Sequence, residues 1–384
     1  MAASRRWRVK VLSLGAGGFI GAHLTERLLE DGHHVTAVDI HSDKIEELIG
    51  HPRLTFVERS IADRSFDLAD VVGAADVVVD LVAHANPGIY VRNPLDVFRL
   101  NFQENLRIAE TCVEQGRRLI QFSSCEVYGK TPVAVLDGAL PDPDNPSYAT
   151  FSEDSTDMIM GPVGRHRWIY ACAKQLLERV LHAYGLEGRL NYTIVRPFNF
   201  IGPKIDYLPG ETDGVPRVFS YFMEALLEGT PMKLVDGGHQ RRCYTFIRDA
   251  VDCVARIVAN PGGVCDRQIF NVGSPENEIS IRQLAMLMRD LYARHFPGGG
   301  PLPDVVEVTA VKFYGEGYED SDRRIPDIDK ARRLLGWTPR TSLVEMLLPT
   351  MEYYVRARRE AGPDRDRRAV LGAAPAPSPA DPDA

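Results

Sequence analysis

Short apolar runs rich in β-branched residues, separated by amphipathic stretches, set the rhythm of the first half of the chain. Val9–Leu14, His34–Asp39, Leu54–Val57, Asp76–Val82 and Arg118–Ser123 have the length and composition of strands. Between them, Ala22–Glu30 and Val97–Gln115 repeat apolar residues at helical spacing. A further helix begins near Trp168, and a strand at Tyr192–Pro197 follows it. Strands alternating with helices at this interval predict βαβ units around a parallel sheet covered on both faces. The expected fold class is α/β, with a doubly wound sheet.

The rhythm breaks at Thr131–Gly164, where five prolines and several acidic residues predict a long surface excursion of the lid or rim type. Beyond Gly202-Pro203 the pattern becomes mixed, with a helix at Val218–Glu228 and then short strands and further helices. This predicts a dinucleotide-type domain over 1–202 and a smaller α+β substrate lobe over 203–360, partly interleaved with it. The Ala- and Pro-rich stretch 361–384 is expected to be a disordered tail.

Composition narrows the function. Of 384 residues, 44% are hydrophobic and 26% charged, as in ordinary soluble globular proteins. A formal charge of −8 argues against nucleic acid as a partner. No apolar run approaches the ~18–20 residues needed to cross a bilayer, and the basic start Met1–Arg8 lacks the apolar core of a signal peptide. The six cysteines contain no Cys-x-x-Cys pair and no metal spacing, which predicts buried reduced thiols, no metal and a cytoplasmic setting.

Gly15-Ala16-Gly17-Gly18-Phe19-Ile20-Gly21 follows the first strand and opens the first helix. Glycines there allow a tight turn and a close approach of backbone to a pyrophosphate, and the helix N-terminus favours the negative charge. Asp39 ends the second strand eighteen residues after Gly21. A carboxylate there suits the ribose hydroxyls of NAD and repels a 2′-phosphate. The first domain is thus Rossmann-type, with NAD as the expected cofactor.

Tyr170 and Lys174 stand four residues apart, on one face of a helix. A phenol with an unperturbed pKa of ~10 needs help to act as a base, which a neighbouring ammonium and the nicotinamide cation supply. The strand end Ser123-Ser124 offers a hydroxyl to share the proton.

Together these features resemble the extended short-chain dehydrogenase/reductases, the NAD-dependent epimerase/dehydratase family acting on nucleotide sugars. The resemblance runs from about Val9 to Arg356. It implies that Ser124, Tyr170 and Lys174 oxidise a sugar hydroxyl. It places the cofactor against Gly15, Gly18, Phe19, Ile20, Gly21, Asp39, Ile61, Tyr170 and Lys174. Longer local matches point to one branch. Cys125-Glu126 after the hydroxyl residue, Arg167–Gln175, the excursion, Gly210–Arg217, Val235–Gly238 and Phe313–Pro326 resemble UDP-apiose/UDP-xylose synthases and UDP-glucuronate decarboxylases. Several also resemble the decarboxylase domain of the bacterial enzyme that makes 4-amino-arabinose for lipid A.

That branch implies oxidation at C4 of UDP-glucuronate, loss of CO₂ from a keto acid whose enolate takes the electrons, and re-reduction to a UDP-pentose. Glu126 is expected to steer decarboxylation and proton delivery, and Arg324 to protonate or to stabilise an oxyanion. Cys125 is a further candidate. Substrate-binding candidates are Tyr90, Arg167, Asn199, Lys233, Arg242, Tyr314 and Arg324. The cations Lys204, Lys233, Arg241, Arg242 and Arg248 fall in the region expected to hold the uridine diphosphate, and His84 is expected to be a wall residue. Plant apiose synthases carry a second cysteine where this chain has Ala85, so UDP-xylose or its 4-keto precursor is the safer product than UDP-apiose. The resemblance also implies a homodimer built on Leu100–Glu114 and Ala173–Tyr184. Two alternatives remain open: a UDP-glucuronate 4-epimerase or other nucleotide-sugar epimerase/dehydratase, and an NAD-sensing binding protein.

Overall fold

Seven largely apolar strands form one parallel sheet in the computed structural model, which describes residues 8–136, 140–207, 217–297, 302–316 and 318–361. They are β1 (Lys10–Leu14), β2 (His34–Asp39), β3 (Leu54–Glu58), β4 (Val77–Asp80), β5 (Arg118–Phe122), β6 (Tyr192–Pro197) and β7 (Gln268–Val272). Their order is β7-β6-β5-β4-β1-β2-β3. The α/β doubly wound class is the one the strand pattern implies.

Residues 362–384 and most of Gly210–Arg217 lie outside the described residues, so the expected tail is not addressed.

All of β4 is buried, and its side chains alternate between the two faces of the sheet. Val77 and Val79 pack in one cluster with Leu24 and Leu28 of α1 (Phe19–Glu30). Val78 packs in the other with Ile108 of α2 (Asn105–Glu114) and Leu177 of α3 (Trp168–Leu186). Among the described residues, no helix is long and apolar enough to cross a membrane.

Two expectations change. The stretch Val97–Gln115 is not one regular helix: Pro94–Phe98 runs into a π-helical segment, Arg99–Glu104, and only then into α2. The wider turn lets two inward asparagines bond the backbone beyond β4. Asn101 Nδ2 donates to the His84 carbonyl at 2.9 Å, and Asn105 Nδ2 to that of Val82 at 3.1 Å.

The excursion Thr131–Gly164 is not a free surface loop. Its Thr150–Phe151 is the edge of a four-stranded sheet whose other strands, in order from it, are Arg323–Pro326, Arg241–Cys243 and Glu278–Ser280. Phe151 is buried against Tyr128 with ring centroids 4.8 Å apart. Gly129, at φ 73°, bridges to Ile159, whose carbonyl oxygen a Cβ would meet at 1.9 Å. Beneath this junction the buried Arg196 of β6 pairs with Glu178 of α3 at 2.6 Å and donates to the Tyr128 hydroxyl at 2.8 Å. The large sheet, the excursion and the small sheet therefore meet at one fixed seam.

Candidate active site

β1 and β4 are neighbours although the chain leaves them in opposite directions, so a crevice opens at their carboxyl ends. The glycine turn fills it. Gly15 has φ 82°, and a Cβ on Gly17 would meet the His41 carbonyl oxygen at 2.0 Å. A Cβ on Gly21 would lie 2.3 Å from the Gly15 carbonyl oxygen, so the close helix–turn packing tolerates no side chain. Asp39 accepts the Gly17 N–H at 2.8 Å and the Ile40 N–H at 2.7 Å, which ties the second strand to the turn. Burial pushes its carboxyl up, against three backbone donors. The N-terminal N–H groups of α1 face this cradle without intrahelical partners, as at any helix start, so the chain fits a bound dinucleotide pyrophosphate.

The next strand ends supply the reactive side chains. Gly15, Gly18, Phe19, Ile20 and Gly21 line a cavity together with Ser123, Ser124, Cys125, Glu126, Tyr170 and Lys174. Ser124 caps the short turn Cys125–Tyr128, its Oγ accepting the Glu126 N–H at 3.1 Å. Tyr170 stacks on Tyr90 with centroids 4.5 Å apart and planes 7° from parallel. Burial pushes the Tyr170 phenol above its ordinary value and Glu126 adds to that, while hydrogen bonds with Ser124 and Tyr90 act the other way. Lys174 Nζ donates to the Phe122 carbonyl at 3.0 Å and to Asn105 Oδ1 at 3.2 Å. Burial pushes this ammonium down to about 8, against the pull of Asp80 and Glu178.

A second cavity continues from the first, sharing Ala85, Tyr90, Glu126, Asn199, Arg217 and Arg324 among its lining residues. Three arginines converge in it on one carboxylate. Arg242 Nη2 lies 2.7 Å from Asp320 Oδ2, and Arg167 and Arg324 approach Asp320 Oδ1 at 3.5 and 3.7 Å. Arg167 also forms a two-pronged pair with Glu126 at 3.0 and 3.1 Å. Burial would raise the Asp320 carboxyl, but Arg242, Arg167 and Arg324 outweigh it and hold it at about 2. The Nε groups of Arg167 and Arg324 are buried without a hydrogen-bond partner among the described residues. Both arginines line the cavity, and cationic side chains there suit an anionic ligand. Arg324 Nη1 also lies 3.6 Å from Cys125 Sγ. Burial nonetheless pushes the Cys125 thiol up, so the thiolate is not the favoured form.

The structure brings together most of the expected site. Lys233 and Tyr314 line the second cavity, Tyr314 stacked on Tyr318 at 4.0 Å. Asn199 lines both cavities from a left-handed backbone (φ 43°), with Nδ2 donating to the Cys243 carbonyl at 3.3 Å. Asp39 and Ile61 are not among the lining residues of either cavity. Ile61 is buried with Leu12 and Val38, and its carbonyl accepts from Arg107. Of the expected cation run, Lys233 and Arg242 face the cavity. Lys204 and Arg248 instead line a separate depression with His23 and Lys44, and Arg241 pairs with Glu278 at 3.1 Å.

Sequence reasoning missed Asp320, Asn105, Tyr318 and Arg217. Arg217 lines both cavities and is clamped by Asp206 at 2.6 Å. Asp320, Tyr318 and Arg217 each lie inside a matched segment, which was a usable signal, whereas Asn105 carried none.

Residues 11–273 match the model of the NAD dependent epimerase/dehydratase family. The chain is 43% identical over 362 residues to the UDP-D-apiose/UDP-D-xylose synthase of Oryza sativa subsp. japonica, covering 91% of this chain and 90% of that one. It is also 43% identical over 361 residues to UDP-D-apiose/UDP-D-xylose synthase 1 of Arabidopsis thaliana, covering 91% and 92%. Among solved structures, PbgP3 from Burkholderia pseudomallei superposes with a TM-score of 0.80 at 34% identity, covering 95% of this chain and all of that one.

The depressed Asp320 carboxyl sets a pH signature. Its contribution to stability is complete above the unfolded value of ~3.9 and is lost as the pH falls through about 2. The stability gap between wild type and Asp320→Asn, read from urea unfolding, is expected to narrow steadily from pH 4 to pH 2. A gap independent of pH over that range would show that Asp320 does not hold the arginines by charge.

Proposed function

The chain belongs to the NAD dependent epimerase/dehydratase family, and from that membership we propose that it decarboxylates UDP-glucuronate by an internal redox cycle, yielding a UDP-pentose. The observation that carries this reading is one continuous cavity with Tyr170 and Lys174 at one end, Arg167 and Arg242 at the other, and Arg324 lining both parts. A sugar acid is the substrate that uses both ends. The synthases at 43% identity support the same chemistry. NAD is the cofactor, and when bound it supplies a reversible hydride acceptor that is not consumed.

In this reading the chain's own groups manage protons and charge. Tyr170, assisted by Lys174 and Ser124, takes the proton of the C4 hydroxyl as that carbon is oxidised. Burial holds the phenol high, so the step needs the positive charge brought by the cofactor and by the Lys174 ammonium. Arg167 orients the C6 carboxylate. A ketone at C4 is β to that carboxylate, so breaking the C5–C6 bond releases CO₂ and leaves the electron pair in an enolate. Arg324 stabilises the enolate oxygen, and Glu126 manages delivery of a proton to C5. Arg242, Lys233 and Asn199 hold the diphosphate side, and Tyr90 and Tyr314 wall the sugar and nucleoside. Cys125 stays a thiol and Ala85 supplies no second one, which favours UDP-xylose over ring-contracted UDP-apiose.

We further propose a cytoplasmic homodimer that pairs α2 and α3 across a two-fold axis, with the described large sheet as the cofactor domain and the small sheet as the centre of the substrate lobe. Sedimentation as a monomer at micromolar concentration would contradict the dimer.

Incubation with UDP-glucuronate and NAD is expected to release CO₂ and a UDP-pentose, identified by mass and NMR. Tyr170→Phe should lower the rate by roughly 10²–10⁴-fold while leaving UDP-glucuronate binding nearly intact. UDP-galacturonate as the sole product would replace this reading with the 4-epimerase, and an unaffected Tyr170→Phe in cells would point to a binding protein.

A further inference from the structure

Lys174 sits on a closed ring of hydrogen bonds that none of the proposed catalytic roles uses. From Nζ, one arm runs through the Phe122 carbonyl at 3.0 Å, which also accepts from Gln121 Nε2 at 3.4 Å. Gln121 Nε2 donates in turn to Asp80 Oδ2 at 2.9 Å. The other arm runs through Asn105 Oδ1 at 3.2 Å, whose Nδ2 donates to the Val82 carbonyl at 3.1 Å. The N–H of Val82 closes the ring on Asp80 Oδ1 at 2.9 Å. Asp80 and Gln121 face each other across the β4–β5 pairing, so the parallel register itself builds the contact.

Asp80, Gln121 and Asn105 are fully buried or nearly so, and Lys174 is 2% exposed. Two ionisable groups thus occupy opposite sides of one buried polar ring. A lone buried carboxylate there would be expensive and would add nothing to packing.

We propose that Asp80 is a positioning residue: the buried counter-ion that keeps Lys174 protonated and aimed at the cofactor side of the cavity. The charged and titratable groups around Lys174 are few. Glu178 lies on its own helix but is engaged by Arg196 at 2.6 Å, Tyr170 is one turn away, and Cys112 of α2 is buried near Asp80. Asp80 on β4 is therefore the carboxylate not already committed to another cation. Burial raises the Asp80 carboxyl and lowers the Lys174 ammonium, and the coupling between them opposes both shifts, Lys174 drawing the carboxyl back down and Asp80 drawing the ammonium back up. With Asp80 neutral, the ammonium would shed its proton near physiological pH, and Tyr170 would lose the neighbouring charge that favours its phenolate. The inference rests on the reading of Tyr170 and Lys174 as the proton-handling pair, but not on which sugar is the substrate.

The variant Asp80→Asn is nearly isosteric. The Val82 N–H keeps its acceptor, and Gln121 can turn its amide to present Oε1, which has no partner among the described residues. The test is a titration of the ligand-free full chain labelled with ¹³C-lysine, the Lys174 Cε signal being assigned by its loss in Lys174→Met. Wild type should titrate with a midpoint near 8, and Asp80→Asn should titrate lower by about 1–3 pH units. Mere loosening of the fold would move the midpoint the other way, towards ~10.4. An unchanged or raised midpoint overturns the proposal. Should the variant not fold, ¹³C-aspartate labelling of wild type decides: Asp80 Cγ must show the carboxylate shift at pH 7, and a protonated shift there overturns it. Either failure leaves the decarboxylase reading standing, because no substrate takes part.

Discussion

Three guanidinium groups held within reach of one another and largely out of water repel strongly, and a fold that gathers them must supply compensating charge. Here Asp320 and Glu126 do so. Arg167, Arg242 and Arg324 carry three positive charges and the two carboxylates remove two, leaving one in excess in a cavity of a chain whose formal charge is −8. The balance explains how an acidic protein can present a strongly cationic pocket. It also explains the arrangement of neighbouring parts. Glu126 must stand two residues after Ser124, Arg167 must stand at the start of α3, and Arg242 and Arg324 must lie side by side on paired strands, as their register shows. A ligand with a carboxylate and a diphosphate can then displace internal pairing with its own charge, so that binding exchanges ion pairs for ion pairs.

The same economy governs the oxidising end. Tyr170 and Lys174 are both displaced from their ordinary values by burial, in opposite senses, which leaves each poorly ionised without help. Buried dipoles and counter-charges beside the reacting groups do what water would otherwise do. The stacked Tyr90 fixes the phenol's plane, and the turn at Ser124 fixes its hydrogen-bond partner. The π-helical widening before α2 matters for the same reason, since it brings Asn105 under the lysine.

What could be read from the sequence was local. The strands, the glycine turn, the Ser124–Glu126 turn and the Tyr170/Lys174 pair are each encoded within a few residues, and periodicity or motif spacing exposes them. Boundaries shifted by a residue or two at β1, β3, β4 and β5 because strand ends depend on pairing partners. The charges that organise the site were less legible. Asp320 is 153 residues from Arg167, and Asp80 and Asn105 reach Lys174 only through strand register and helix docking. Cation counting failed for Lys204 and Arg248, which the fold turns towards another surface, and for Arg241, whose strand alternation points it at Glu278 while Arg242 faces the cavity. The proline-rich excursion read as a loop because proline disfavours central strands, yet a two-residue edge strand escapes that rule.

The central claim is that oxidation at C4 precedes and enables loss of C6, within one cavity and without net redox change. The most direct measurement is NMR of the product formed from UDP-glucuronate, labelled with deuterium at C4 in one experiment and unlabelled in D₂O in another. The expected product is a UDP-pentose that keeps the C4 deuterium and, from D₂O, carries one solvent deuterium at C5. A product that retains C6, or a pentose with no solvent deuterium at C5, would contradict it.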